Sequence, residues 1–570
     1  MPRGGESLRT DDRSASRRTW PVLAALAGAL LVAYWPALHG DFLWDDVAHL
    51  PEPRLRTWGG LARILFEPGT SQQYYPMLFG TFWAEYRLWG ERTLGYHVVN
   101  VAMHGLGAAL LWAVLRRLAI PGALLAAAVF ALHPVHVESV AWICELKNTL
   151  SGVFYLAALL TYLVFDDSRR PGPWAASFAL FLAAMLSKSV TGSLPAVILV
   201  LFWWKRGRLS WRTDVLPLLP LFAVSAGIGW FTARYEAEVV GASGAAFDLS
   251  FAARSLIAGR ALWFYLGKVL WPVPLVFIYP RWRIDPTALW QWGFPAAALA
   301  MLVALWFLRR RLGRGPFAAA VMFAGTLFPA SGFVNVYPFK FSFVADHFQY
   351  LASLGVIVPL CATLAYVARR MPRPAAAALG AALVALLGVL TWRQAHVYQS
   401  LETLWTHTVD QNPGSFLAQI GLGVVYEDQG RHAEAIVAEE RAIAIDPASP
   451  EAHLNLARSY DHLGDYAKAA ALYERGLALG SAYAPGVLPR LARLDVRLGQ
   501  FDQAVDRARR AITLNPRSAY AYAVLGLAYA GQGRRAEAET AWHTALTLDA
   551  SSEAGRIAAE QLGQRTPGPQ

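Results

Sequence analysis

Cysteine and charge are both scarce in this sequence. Only Cys144 and Cys361 occur in 570 residues, and Cys361 lies within an apolar run, so the sequence implies no disulfide framework. Charged residues make up 16% of the chain, whereas hydrophobic residues make up 55%. A single soluble globular domain carries more charge and fewer apolar residues. The composition therefore predicts a membrane protein.

Long apolar runs are missing after residue 393, and residues 401–560 have the charge density and alanine content of a soluble helical domain. The chain is therefore expected to have two parts. Lys and Arg number 51 against 40 Asp and Glu, but much of this excess stands beside hydrophobic runs. Such clusters set membrane topology, and no nucleic-acid partner is expected.

The apolar first part is expected to cross a membrane many times, because one helical span needs about 20 apolar residues. Basic clusters at the N-terminus, at Arg116/Arg117 and at Arg309–Arg311 are predicted to be cytoplasmic. Residues 253–271 carry three basic residues, which favours an interfacial or re-entrant helix on the outer side. No small-residue cleavage site follows the first run, so a cleavable signal peptide is not expected. Eleven spans are predicted, at residues 20–38, 93–115, 118–132, 148–165, 171–187, 189–204, 215–233, 286–308, 315–333, 348–368 and 374–392. An odd number of spans places the C-terminal part outside.

The C-terminal part repeats with a period of about 34 residues, the length of a tetratricopeptide unit. Small residues recur in step, as at Ala435, Ala469, Ala504 and Ala538. They let two antiparallel helices approach closely. The predicted organisation is a basic cytoplasmic N-terminus (1–18), a membrane domain (19–393) with a first outer loop at 39–92, tetratricopeptide repeats (394–562) and a disordered tail (563–570).

Four sequence motifs carry a resemblance to a known family. They are `GDFLWDD`, `HPVHVESVAWI`, `LSKS` and `ADHFQYLAS`, followed by the repeats. This order resembles the transmembrane and tetratricopeptide repeat-containing protein family and its bacterial relatives. These are similar to the protein O-mannosyltransferases of the C-type glycosyltransferase superfamily. The resemblance implies an all-α polytopic membrane glycosyltransferase-C-like fold in a bacterial inner membrane, with the repeats on the outer, periplasmic side.

The resemblance also implies a sugar donor on a polyprenyl phosphate and an essential acid in the first outer loop. Asp45 and Asp46 take that place, and a carboxylate there suits a general base that accepts the proton of a Ser or Thr hydroxyl. The residues leave open which of the two is the base, with a slight preference for Asp46. Lys188 and His347 are candidates to stabilise the leaving phosphate. Relatives more often carry Arg where this chain has His347, which weakens that assignment.

Other polar residues of these motifs are candidates for substrate binding: Glu138, His133, His136 and Asp346. Each also has a structural alternative, such as interfacial anchoring for the two histidines or a salt bridge for Glu138. Lys188 has the alternative of extending to the membrane interface, and the two aspartates that of capping a turn. No cofactor is assigned, although a divalent metal held by Asp45 and Asp46 is an open alternative.

The leading functional hypothesis is inverting transfer of a sugar, with mannose as the candidate, to Ser/Thr of secreted or envelope proteins. The repeats are expected to bind the acceptor protein or peptide, and membrane lipids surround the spans. One alternative is transfer to a lipid or an envelope glycan. A second alternative, from a different class, is an inert assembly scaffold.

Overall fold

The computed structural model describes residues 7–563, and side chains from residue 20 onward. Residues 1–6 of the predicted N-terminal segment and residues 564–570 of the predicted tail lie outside the described residues. Between residues 7 and 563 the chain forms helices and connecting loops, without strands. The all-α prediction is confirmed. The chain divides into two compact units, residues 1–412 and 413–570.

The first unit is a bundle of long apolar helices with short helices between them. In chain order the α-helices are α1 (Ser7–Ala33), α2 (Trp35–Leu38), α3 (Asp46–His49), α4 (Trp58–Phe66), α5 (Pro76–Trp89), α6 (Thr93–Arg117), α7 (Ala123–Leu132), α8 (Val137–Ala141), α9 (Leu146–Ser168), α10 (Pro171–Met185), α11 (Leu194–Arg206), α12 (Leu219–Tyr235), α13 (Phe251–Leu270), α14 (Gly293–Leu312), α15 (Gly315–Leu327), α16 (Leu354–Ala368), α17 (Arg373–Val397) and α18 (Leu401–Gln411). Helix α9 packs against both α6 and α10.

A helix overlaps each of the eleven stretches that the sequence predicts as spans. Among the described residues, five helical segments are long and apolar enough to cross a membrane: Thr93–Arg117, Ile143–Ser168, Trp211–Val240, Leu289–Leu312 and Arg373–Val397. A sixth would be α7 taken together with Pro134–Ala141, although the two parts meet at an angle of 53°. The remaining apolar helices are shorter, so the count of eleven stays a prediction.

Two breaks in the first unit position functional side chains. Pro134 follows α7, and because proline has no N–H and clashes with the preceding turn, a helix does not continue smoothly through it. A short 3-10 turn at Pro134–His136 then leads into α8. A second 3-10 turn, Ile143–Glu145, precedes α9. The segment between α7 and α9 is therefore folded back into the protein, and Glu138 and Glu145 are both buried.

The second unit is a series of helical hairpins. Its α-helices are α19 (Phe416–Asp428), α20 (His432–Ile445), α21 (Pro450–Leu463), α22 (Tyr466–Leu479), α23 (Ala484–Arg497), α24 (Phe501–Leu514), α25 (Ala519–Gly531), α26 (Arg535–Leu548) and α27 (Glu553–Gln561). Ala435, Ala469, Ala504 and Ala538 are each 0% exposed at the helix–helix contacts. The glycines between paired helices have positive φ, for example +83° at Gly464. The prediction of tetratricopeptide repeats is confirmed.

Candidate active site

The loop between α2 and α4 is fixed by Asp46, which begins α3. Its two carboxylate oxygens accept the backbone N–H groups of Leu43 and Cys144, both at 2.7 Å. Asp46 is 0% exposed, and this burial raises its pKa to about 7, although the two N–H groups act in the opposite direction. Both oxygens are thus already occupied. Asp46 connects the loop to the segment that precedes α9.

Asp45 differs from its neighbour in that its carboxylate makes no hydrogen bond to any described residue, and it is only partly buried. Burial raises the pKa of Asp45, Lys147 lowers it and Glu145 adds to the rise. Beside it, Trp44 stacks on Trp142 with ring centroids 6.1 Å apart. The sequence slightly favours Asp46 as the base, but of the two it is Asp45 whose carboxylate oxygens are not occupied by hydrogen bonds within the described residues.

Glu145, which directly precedes α9, contacts the ammonium groups of two lysines. Its Oε1 lies 2.8 Å from Lys147 Nζ, and its Oε2 lies 3.4 Å from Lys188 Nζ. Asn148 Nδ2 donates to Glu145 Oε2 at 2.6 Å, while Asn148 Oδ1 accepts from Lys188 at 2.8 Å. Glu145 is 0% exposed. One fully buried carboxylate therefore holds two ammonium groups in fixed positions.

Glu138 and His347 form a second pair beside this group. The backbone N–H of His347 donates to Glu138 Oε2 at 3.1 Å, and its Nδ1 lies 2.9 Å from Oε1. The other ring nitrogen, Nε2, lies 3.9 Å from Glu145 Oε1. Because Glu138 contacts both the backbone N–H and the ring of His347, this carboxylate sets the orientation of the imidazole.

Asp346 is buried next to this pair. The hydroxyl of Tyr279 lies 3.0 Å from each of its carboxylate oxygens. Burial raises the pKa of Asp346, and Glu138 raises it further. Asp346 accordingly contacts a tyrosine rather than the lysines.

His133 and His136 lie in the packed interior. His133 Nε2 contacts the carbonyl of Val269 at 3.0 Å, and its Nδ1 accepts the N–H of Val135 at 3.4 Å. His136 contacts the Phe130 carbonyl at 2.8 Å and the Ser353 hydroxyl at 2.9 Å. All four ring nitrogens have protein partners. Both histidines therefore have structural partners, and neither lines the cavity described below.

A cavity of about 440 Å³ lies beside the lysines. Of the residues predicted from the sequence, Lys188 and His347 line it. Lys147 and Asn148 line the cavity as well. The positive charge of Lys147 lowers the pKa of Asp45, so Asp45 interacts electrostatically with this wall of the cavity. Glu236, whose Oε1 accepts from Gln73 at 2.8 Å, is also in the lining. The cavity combines ammonium groups, amides and apolar walls, as binding sites for small charged groups do.

The sequence reasoning missed Glu145, Lys147 and Asn148. Their signal is the run `ELKN` at residues 145–148, which places two charges and an amide at the entrance to a predicted span. Charges in such a position are costly unless they are paired or functional. The same cost of an unpaired charge, which makes Glu138 a candidate, also makes Glu145 and Lys147 candidates.

Comparison with known proteins finds matches to both parts of the chain. Residues 392–450, 426–481 and 490–554 match tetratricopeptide repeat family models. A protein O-mannosyl-transferase of Caenorhabditis elegans is 24% identical over 467 residues, covering 78% of this chain and 65% of that protein. The human protein O-mannosyl-transferase TMTC1 is 26% identical over 518 residues, covering 79% of this chain and 58% of the human protein.

This chain spans less than two thirds of the length of either relative. Among solved structures, the MamA protein aligns with a TM-score of 0.25 and 23% identity, covering 30% of this chain and 88% of MamA. The matches to the Caenorhabditis elegans and human proteins confirm the resemblance that the sequence motifs predict. Over nearly four fifths of its length, the chain is therefore similar to proteins named protein O-mannosyl-transferases, and its C-terminal part matches tetratricopeptide repeats.

Proposed function

We propose that this protein transfers a sugar, with mannose as the leading candidate, from a polyprenyl-phosphate donor to Ser or Thr hydroxyls of secreted or envelope proteins. The reaction would take place on the outer face of a bacterial inner membrane, above eleven spans. Both relatives are named protein O-mannosyl-transferases, which supports a protein O-glycosylating transferase. The observation that carries the proposal is the pair Lys147 and Lys188, held by the buried Glu145 at the wall of a 440 Å³ cavity.

Phosphate binding explains why two lysines share one buried carboxylate. When the bond between the anomeric carbon and the phosphate oxygen breaks, the electron pair leaves with the phosphate. Ammonium groups already in place stabilise this developing charge without reorganisation. His347 lines the same cavity and adds a third nitrogen group.

Asp45 has the role of the base in this proposal. The acceptor oxygen forms its bond to the anomeric carbon from the face opposite the leaving phosphate, and its proton passes to the Asp45 carboxylate. The configuration at the anomeric carbon is inverted, and no covalent enzyme intermediate forms. Asp46 keeps the loop in place through its bonds to Leu43 and Cys144.

The repeats have a separate role, since tetratricopeptide arrays bind peptides and proteins along their helical surfaces. We assign them the delivery of acceptor protein on the outer side. Membrane lipids and the polyprenyl chain contact the apolar helices of the first unit.

The test uses the purified full-length protein in detergent with a polyprenyl-phosphate mannose and a Ser/Thr-rich peptide. Mass spectrometry measures the mannosylated peptide, and chromatography measures the lipid phosphate released. Lys188→Ala should lower transfer by at least about 100-fold, because one charge-stabilising group is removed. Lys468→Ala is the matched control, since that lysine is 62% exposed on a repeat and contacts Asp465 and the ring of Tyr460, both within the repeats.

The same assay separates the alternatives. If donor is consumed only when an envelope extract replaces the peptide, and the sugar appears in its lipid or glycan fraction, the acceptor assignment is wrong. If wild type consumes no donor under either condition, the scaffold hypothesis replaces the enzyme.

A further inference from the structure

Three potential metal ligands meet between the first two repeats of the second unit. Glu427 lies near the end of α19, His432 begins α20 and His462 lies near the end of α21. One ligand atom from each of the three lies within 4.8 Å of the other two. This group is remote from the candidate active site in sequence and has no part in the proposed transfer reaction.

Two of the ligand atoms at this point make no hydrogen bond within the described residues. Glu427 Oε1 and His432 Nδ1 are buried and make no hydrogen bond to any described residue. The Glu427 side chain is 4% exposed. A carboxylate oxygen buried without a hydrogen-bond donor costs free energy, and a cation bound between this oxygen and the two nearby imidazoles would offset that cost.

The distances fit a tetrahedral ion. Glu427 Oε1 lies 3.2 Å from His432 Nδ1 and 3.4 Å from His462 Nε2. Two ligands at about 2.0–2.1 Å from Zn²⁺, separated by a tetrahedral angle, are about 3.3 Å apart. The two imidazole rings are parallel within 3°, with centroids 4.8 Å apart. Both rings therefore present a nitrogen to the same carboxylate oxygen.

The surroundings also resemble those of a metal site. Ser459 Oγ donates to Glu427 Oε2 at 2.6 Å, which directs the other oxygen towards the two histidines. Such outer-shell hydrogen bonds orient metal ligands in proteins. Ser459 and His462 are three residues apart and so lie on one face of α21. His462 is 52% exposed, which gives an ion a route from solvent.

We propose that Glu427, His432 and His462 bind a divalent transition-metal ion of the Zn²⁺ type, with water as the fourth ligand. Two imidazoles and one carboxylate are a ligand set that suits Zn²⁺ better than Ca²⁺ or Mg²⁺, which prefer oxygen ligands. The ion connects the turn between α19 and α20 to α21 of the next repeat. It therefore fixes the first repeat against the second and stabilises this end of the array.

The test uses the tag-free full-length protein in detergent, treated with a chelator and then titrated with CoCl₂ alone. Tetrahedral Co²⁺ gives visible ligand-field absorption. Wild type should bind one equivalent with this spectrum, and Zn²⁺ should displace it. His462→Ala and Glu427→Gln should weaken Co²⁺ binding by more than about 10-fold, the lower limit of the loss caused even by outer-shell changes.

His543→Ala is the matched control, because His543 is an exposed histidine on α26 of the same unit. It should bind Co²⁺ like wild type. His462 is also largely exposed, so His462→Ala decides the question even if Glu427→Gln alters folding. The proposal is overturned if wild type shows no tetrahedral Co²⁺ spectrum, or if His462→Ala keeps the same spectrum and affinity.

Discussion

Replacing Asp45 and Asp46 one at a time by asparagine should have opposite effects on activity and stability. Asn keeps the shape of Asp but is a far poorer base. Asp45 makes no hydrogen bond to a described residue and is partly exposed, so Asp45→Asn should leave the free energy of unfolding nearly unchanged. Transfer should fall by about 10²–10⁴-fold, the contribution of a general base.

Asp46→Asn should mainly reduce stability. The Asn side chain would present an NH₂ group to one of the two backbone N–H groups, of Leu43 or Cys144, that Asp46 now accepts at 2.7 Å. A buried donor left without an acceptor costs about 1–3 kcal/mol. Transfer per folded molecule should fall less than in Asp45→Asn, because the loop keeps one of its two bonds.

Thermal unfolding followed by tryptophan fluorescence, together with the lipid-phosphate release assay, separates the two effects. A pH profile adds a second measurement. Because burial raises the pKa of Asp45, the base becomes protonated as pH falls through a value above the ordinary aspartate range, and activity should be lost there. The reasoning is refuted if Asp46→Asn is stable but inactive while Asp45→Asn transfers sugar like wild type.

Three further changes test other parts of the structure. Glu145→Gln should destabilise the first unit by about 3–5 kcal/mol in thermal unfolding, since two lysines would lose their carboxylate; unchanged stability would show that the lysines do not depend on it. Burial raises the pKa of Glu85 to about 8, so the folded protein holds this proton while the unfolded chain releases it near the ordinary glutamate range. Stability should therefore fall as pH rises from about 4.5 to 8, by up to about 5 kcal/mol, and Glu85→Gln should reduce this decline in unfolding measurements across that range. A reporter active only in the cytoplasm and fused after Gln570 should be silent, and strong activity would contradict the predicted odd number of spans.

The repeats could be predicted from the sequence because their signal is local and periodic. Each of Ala435, Ala469, Ala504 and Ala538 occupies the same position of its unit, and each is fully buried for the same packing reason. The membrane helices were also located by local composition. Local composition does not predict where these helices end, because a break such as that at Pro134 depends on how the following segment packs.

The candidate site could be predicted only in part, because its contacts join residues far apart in the chain. The order of motifs identified Lys188 and His347, which do line the cavity. The pairing of Glu145 with Lys188 spans 43 residues, and that of Glu138 with His347 spans 209. Neither periodicity nor composition carries this information. The choice between Asp45 and Asp46 likewise depends on the position of a distant N–H, that of Cys144.

The placement of charge around the cavity argues for an anionic ligand. Lys147, Lys188 and His347 reach its surface, whereas the carboxylates that hold them, Glu145 and Glu138, do not line it. Burying charge is costly unless it is compensated, and here the single carboxylate of Glu145 compensates two ammonium groups, which leaves an excess of positive charge beside the cavity. Among the described lining residues the acidic side chain is Glu236, and Gln73 already donates to it. The ammonium groups therefore face the cavity with their counter-charges behind them, the arrangement that binding a phosphate requires.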